Sequence, residues 1–435
     1  MAGTFQRIRR ESWLPRRRAL AATMALWVVL VTTAVAYAGS AGHLDRSFGK
    51  NGRVALHEIR GYASSTDIGP SGRIIVSWAY GSDFMVARLR HDGGGDSSFG
   101  KDGIATIPSD APQAAAPAVA INHKGGIVVA GMACTEDEVA CDIVVSRLTR
   151  NGELNRRFGH DGSVRIDFGN QYETRPSVAR ATHGRIVVEA TDCPSGGTGR
   201  CNIGLARLRR HGSLDSGFGD QGKVVMPFWR QLSACGPRLA STGDFKNVGA
   251  MALDSSQRAV VLLTCSGRES PTLARFKPNG HLDRSFGRGG KVYKDVGIRA
   301  ADALAIDSRD RIDVAGAKSD GFAVARFRRN GKLDSSFSRN GRATAKFPGS
   351  NGPGIPYSIA LDSKRRIVAG GVLGTSRFET FGAFARFKRN GNVDRHFGRR
   401  GTVVLDRGFN VATSIAIDSR DRIVGVGRLL VRLLG

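Results

Sequence analysis

The sequence predicts an all-β fold: a seven-bladed β-propeller with four antiparallel strands per blade, its ring closed by an N-terminal outer strand joining the C-terminal blade. Three observations carry this. A motif recurs in which an Arg is followed by Gly at +5, an acid or its amide at +8 and Phe at +11. Its landmark residues Phe48, Phe99, Phe158, Phe218, Phe286, Phe337 and Phe397 lie roughly 50 to 70 residues apart, the period of a repeat array. Between them run short Val/Ile/Ala segments punctuated by Gly, Asn, Asp and Ser, as in antiparallel sheet.

The chain opens with a basic segment (Arg7, Arg9, Arg10, Arg16, Arg17, Arg18), an apolar run from Ala19 to Ala36, and the small-x-small triplet Ala36-Tyr37-Ala38. This is the layout of a secretory signal peptide over residues 1–38. Left uncleaved, the same run is nearly long enough to anchor the chain in a bilayer, which would be its only tie to a membrane. The expected location is therefore secreted or cell-surface, with 43–435 forming a single propeller.

One interval displays the unit best. Ala303 to Asp307 is a short apolar run, and Ser308-Arg309-Asp310 turns it into Arg311 to Gly316. Phe322 to Phe327 follows, then the Asn330-Gly331 turn, then a fourth strand near Arg342 to Phe347. With the Ala303-type strand innermost, blades fall at about 64–108, 117–168, 175–227, 248–294, 302–347 and 357–405. The seventh combines 411–433 with 44–57, which removes two exposed sheet edges and lets Arg432 meet Asp45.

Copies such as Gly280-His281-Leu282-Asp283-Arg284-Ser285-Phe286-Gly287, with their Ala-Arg-Phe elements, resemble delta-60 repeats of bacterial, often exported proteins. The resemblance spans roughly 43–435 and implies a propeller; it carries no catalytic residues across. Asn155, Gly95 and Ser338 depart from the pattern.

The motif Arg lies in an apolar strand, where a charge is tolerated only when paired. The expected structural pairs are Arg88–Asp96, Arg207–Asp215, Arg275–Asp283, Arg326–Asp334, Arg386–Asp394 and Arg432–Asp45. The landmark Phe residues read as plugs under the turns. The six Cys pair by position as Cys134–Cys141, Cys193–Cys201 and Cys235–Cys265, suited to an oxidising compartment. A metal reading of these Cys lacks His and C-x-x-C, so no metal and no cofactor is expected.

No H-E-x-x-H, G-x-S-x-G or phosphate-binding G-x-x-x-x-G-K-[ST] is present, which weighs against an enzyme and assigns no catalytic residue. Recognition is expected on the irregular loops opposite the motif turns, with Trp78, Tyr80, Tyr172, Phe228, Trp229 and Phe378 as candidate binding residues; decorated, ligand-free loops are the competing reading. The net charge of +27 gathers on the motif turns and favours anionic surfaces. The function expected is a non-enzymatic binding scaffold for a protein or glycan. The alternatives are a propeller hydrolase or lyase with channel carboxylates, and a binder of cell-wall polyanion or nucleic acid, the last disfavoured by export.

Overall fold

The computed structural model describes residues 40–56, 63–122, 124–194, 201–227, 248–263, 271–319, 321–349, 352–374, 379–406 and 408–435, with backbone alone at 248–249. The expected signal segment 1–38, Phe228, Trp229, Phe378, Cys235 and Cys265 lie outside these residues. No helix among the described residues is long and apolar enough to cross a membrane.

The described chain is all-β apart from a single 3-10 turn at Thr182–Gly184. Its strands form three four-stranded and two eight-stranded sheets. One four-stranded sheet runs in chain order through Ser65–Ile68, Ile74–Tyr80, Asp83–Leu89 and Ile104–Pro108, every neighbour antiparallel. Each eight-stranded sheet is two such units joined by one bridge, Tyr172 to Cys141 in the first and Lys318 to Gly354 in the second. In the remaining arrangement, Arg53–Val54 pairs antiparallel with Leu430–Leu433, so both ends of the described chain share one sheet. Second and third strands such as Ile127–Cys134 and Gly321–Phe327 are buried along their whole length. Sheets covered on both faces read as continuous apolar runs rather than alternating ones.

The recurring motif builds the turn that follows the third strand of each unit. Arg275 is 3 % exposed. Its Nε donates to Asp283 Oδ2 at 2.9 Å, and its guanidinium carbon lies 4.5 Å from the centre of the Phe286 ring. Asp283 in turn accepts from the Ser285 hydroxyl at 2.7 Å. The same pairing joins Arg88 to Asp96, Arg207 to Asp215, Arg386 to Asp394 and Arg432 to Asp45, each at 2.9 Å. The landmark Phe residues are therefore core plugs, as expected, and also platforms for a desolvated cation.

The sequence did not disclose how six of the motif arginines stitch one unit to the next. Arg88 donates to the Arg150 carbonyl, Arg147 to that of Arg210 and Arg326 to that of Arg389. Backbone bonds run in parallel with these, from Gly100 N to Asn151 O and from Gly159 N to His211 O. The close approach explains Gly152: at φ +87°, a Cβ there would lie 2.7 Å from Gly100 N.

One expected pair is corrected. Arg326 places Nε and Nη2 on Asp313, at 2.6 and 2.8 Å, rather than on Asp334. Asp313 stands directly across the strand pair from Arg326. In the other units that cross-strand place holds Ile75, Val128, Val187, Val260, Val368 or Val424. A carboxylate opposite the Arg offers a bidentate fork without crossing the turn, so it captures the guanidinium. Asp334 is left with the Ser336 hydroxyl at 2.7 Å and with Arg328 at 3.3 Å.

Candidate functional site

The first strands of all the units converge on one cavity of about 640 Å³. Most of its lining is small: Ala63, Ser65, Ala118, Ser177, Ala250, Ala303 and Ser414 are typical. Three larger polar side chains interrupt it, Arg175, Asp302 and Tyr357. All three stand where their strands bulge, a feature shared by the strand Gln113–Ile121, which bulges between Ala115 and Ala118 but carries small residues there. The strand Tyr172–Arg180 bulges between Thr174 and Ser177, Arg299–Ile306 between Arg299 and Ala303, and Gly354–Leu361 between Pro356 and Ser358. Each bulge adds unpaired residues and turns their side chains away from the regular pleat. Arg175 has φ +42°, a conformation that L residues with a Cβ adopt rarely, and Ala116 repeats it at φ +45° in the preceding unit.

These three groups also interact electrostatically. Burial raises the Tyr357 phenol above its ordinary value, Asp302 raises it further and Arg175 opposes both. Tyr357 nevertheless keeps 38 % of its surface exposed, so a cation, an anion and a phenol face one accessible cavity. Paired acid catalysis of glycoside cleavage uses two carboxyl groups about 5 to 9.5 Å apart. Among the described lining residues, Asp302 is the one carboxylate.

The residues expected to bind separate into different environments. Trp78 is 1 % exposed and belongs to the core, which corrects its assignment to the recognition surface. It sits in the second strand of its unit, covered on both faces, at the place held by Gly131 and Ala190 in the following units. Tyr172 is half-buried against a core cluster, and its backbone bridges Cys141 and Cys193. Tyr80 is 47 % exposed at the end of the strand Ile74–Tyr80. Among the described residues two disulfides are present, Cys134–Cys141 and Cys193–Cys201.

On the opposite face, much of the turn charge is internally neutralised. Arg258 pairs with Asp254 at 2.6 Å, Arg311 with Asp307 at 2.6 Å and Arg422 with Asp418 at 2.7 Å, and Arg366 pairs likewise with Asp362. This Asp-x-x-x-Arg pattern closes the turn between the first and second strands. It recurs at Asp254, Asp307, Asp362 and Asp418, 53 to 56 residues apart, and that period was the signal that could have revealed it. Arg175, Asp302 and Tyr357 had no such signal: they stand in different repeats, and although Asp302 and Tyr357 each lie five residues before a turn Asp (Asp307 and Asp362), their residue types do not recur.

Residues 310–337 match the family described as "Domain of unknown function (DUF5122) beta-propeller". With the all-β sheets, that match supports a β-propeller repeat protein. Among curated proteins, no sequence matches the chain. Similar solved structures include a protein of unknown function from Dyadobacter fermentans, with 11 % identity, TM-score 0.42, 74 % of this chain covered and 95 % of that one. Another is a polysaccharide lyase, with 11 % identity, TM-score 0.44 and coverages of 93 % and 94 %. A third is an α-L-arabinofuranosidase of Fusarium graminearum with arabinobiose, with 8 % identity, TM-score 0.46 and coverages of 80 % and 97 %.

Proposed function

We propose that the chain is an exported, non-enzymatic seven-bladed propeller that binds a glycan or protein ligand at the channel mouth on its irregular-loop face. The blade count is supported by strands that group in fours around the cavity, and closure by the pairing of Arg53–Val54 with Leu430–Leu433. Closure is further supported by Arg432, whose guanidinium reaches both Asp45 and the carbonyl of His91 in the next unit. Export is supported by the two disulfides.

The observation that carries the binding reading is the grouping of Arg175, Asp302 and Tyr357 at bulged inner strands around an otherwise small-residue cavity. A few convergent polar groups in a concave, largely preformed site are what fixes a ligand's orientation. A sugar offers hydroxyls to the guanidinium and carboxylate and an apolar face to the phenol; a protein loop offers the same complement. A polyanion reading draws less support, because turn arginines such as Arg311 and Arg422 already hold carboxylates.

The test is an array of bacterial-surface glycans and surface proteins probed with the purified protein. Arg175→Ala and Tyr357→Ala should each weaken any hit at least tenfold, while Arg329→Ala on the motif face leaves it unchanged. Hits indifferent to Arg175 and Tyr357 but lost with Arg329 would sink the reading. Retention on heparin that falls steeply with salt would favour the polyanion alternative instead.

A further inference from the structure

A second polar site lies beside the two disulfides. Asp142 is second in the strand Cys141–Leu148, Asp167 follows the strand Ser163–Ile166, and Glu173 is second in the strand Tyr172–Arg180. Each offers a carboxylate oxygen within 4.8 Å of the other two. The strands are held together there by the hydrogen bond from Cys141 N to Gln171 O, at 2.8 Å, and by the pairing of Tyr172 with both Cys141 and Cys193.

Glu173 is wholly buried. Its Oε1 accepts from Phe168 N at 3.0 Å, whereas Oε2 has no hydrogen-bond partner. Burial pushes its carboxyl up to about 8, the single Phe168 bond opposing, with Asp142, Asp192 and Asp167 adding to the rise. The neighbouring Asp192 is better served, accepting from Asn170 N at 3.1 Å and from the side-chain amides of Asn170 at 2.9 Å and Asn202 at 3.1 Å. The adjacent cations do not reach Glu173: Arg165 holds Asp142 at 2.8 Å, and Lys223 Nζ donates to the Asp167 backbone carbonyl at 2.5 Å.

We infer that Asp142, Asp167 and Glu173 form a calcium-binding site that ties two neighbouring units together beside their disulfides. The donors are all carboxylate oxygens, the set preferred by a hard cation rather than by zinc or copper. Ligand oxygens at about 2.4 Å from a calcium ion lie no more than about 4.8 Å apart, and the three carboxylates meet that limit. The ion would give Oε2 of Glu173 the partner it lacks, with water completing a shell of six to eight oxygens. Magnesium demands closer, near-octahedral ligands and dehydrates reluctantly, so it should bind more weakly. The expected dissociation constant is about 10⁻⁴ to 10⁻³ M, the range of extracellular calcium modules.

The inference is independent of ligand recognition at the channel mouth, and its test uses calcium alone. The full protein is melted in EDTA and in calcium at about 10 mM, where site occupancy should raise Tm by about 3 °C. Calorimetric titration of the same samples reads the affinity. Glu173→Gln preserves shape and the Phe168 bond, and Asp167→Asn alters an exposed position; each should weaken calcium at least tenfold and remove most of the Tm rise. No calcium-dependent change in Tm or heat, or an equal response in both variants, would overturn the site.

Discussion

Asp283, in the turn after a third strand, and Glu189, inside the second strand Ile186–Cys193, are both buried carboxylates, and they are treated oppositely. Asp283 has the Arg275 guanidinium, the Ser285 hydroxyl and the Ser285 amide. Glu189 is wholly buried, and neither carboxylate oxygen has a hydrogen-bond partner. Burial alone would raise Asp283; Ser285 and Arg275 hold it below the ordinary range. Nothing offsets burial at Glu189, which is pushed up to about 8. The motif turns are thus satisfied, repeated and rigid. The sheet that carries the disulfides stores unpaired acid, in Glu189 and Glu173 alike.

The largest effect should come from breaking a satisfied pair. Asp283→Ala leaves Arg275 buried without its counter-charge, and removing one partner of a buried pair costs about 3 to 5 kcal/mol. Asp313→Ala removes both carboxylate bonds of Arg326, which is 1 % exposed, and should cost less than Asp283→Ala by whatever Asp334 recovers. Urea unfolding midpoints measure both. If either variant loses under about 1 kcal/mol, the guanidinium has found water or another acceptor, and the pairs are not what fixes the turns.

The next effect separates the two classes by pH. A motif Asp with a lowered value adds stability above the unfolded carboxylate range and loses it as pH falls through the folded value. Glu189 has the opposite sign: the folded state keeps a proton that the unfolded state releases above about pH 4.5. Its contribution is complete below that pH and is lost as pH rises toward 8, at up to about 1.4 kcal/mol per pH unit. Glu173 adds to the same slope in EDTA. Stability should therefore peak near pH 5 and decline toward pH 8, and Glu189→Gln should flatten the decline and stabilise at pH 8. A wild-type profile that rises from pH 5 to 8 would contradict an unpaired Glu189.

A smaller loss is expected at the loop face. Cys134→Ser with Cys141→Ser opens a bridge spanning a sequence separation of 7, for which loop-closure entropy suggests about 2 kcal/mol. Thermal melts of this variant should show that loss, whereas an unchanged Tm would mean that the strand pairing between Cys134 and Cys141 holds the loop unaided.

The legibility of the sequence follows the same division. Repetition averages over copies, so the turn Arg, its Asp and the plugging Phe could be read from spacing, as could the two local disulfides. Arg326 broke the reading because its partner is chosen across strands, and a single Asp313 in a usually apolar place outcompetes the turn acid. Trp78 misled because an aromatic near a loop resembles a contact residue until the covering sheets are known. Arg175, Asp302 and Tyr357, and likewise Asp142, Asp167 and Glu173, meet only through inter-unit packing. No local pattern encodes such a meeting.

The smallest effect sharpens the comparison most, because it holds the motif constant. Asp334 and Asp283 occupy the same place in two copies, yet Asp334 holds Arg328, whose side chain is 51 % exposed, where Asp283 holds a buried Arg275. An exposed ion pair is worth about 0 to 1 kcal/mol. What remains at Asp334 is the turn itself, its carboxylate accepting from the Ser336 hydroxyl at 2.7 Å and the Ser336 amide at 3.3 Å. Asp334→Ala should therefore cost about 1 kcal/mol, a fraction of the loss from Asp283→Ala. In the double variant Asp313→Ala/Asp334→Ala the losses should exceed their sum, since Asp334 is the acid best placed to take Arg326 when Asp313 is gone. Strict additivity would mean that Arg326 cannot cross the turn, and that Asp313 is a replacement for the motif pair rather than a competitor with it.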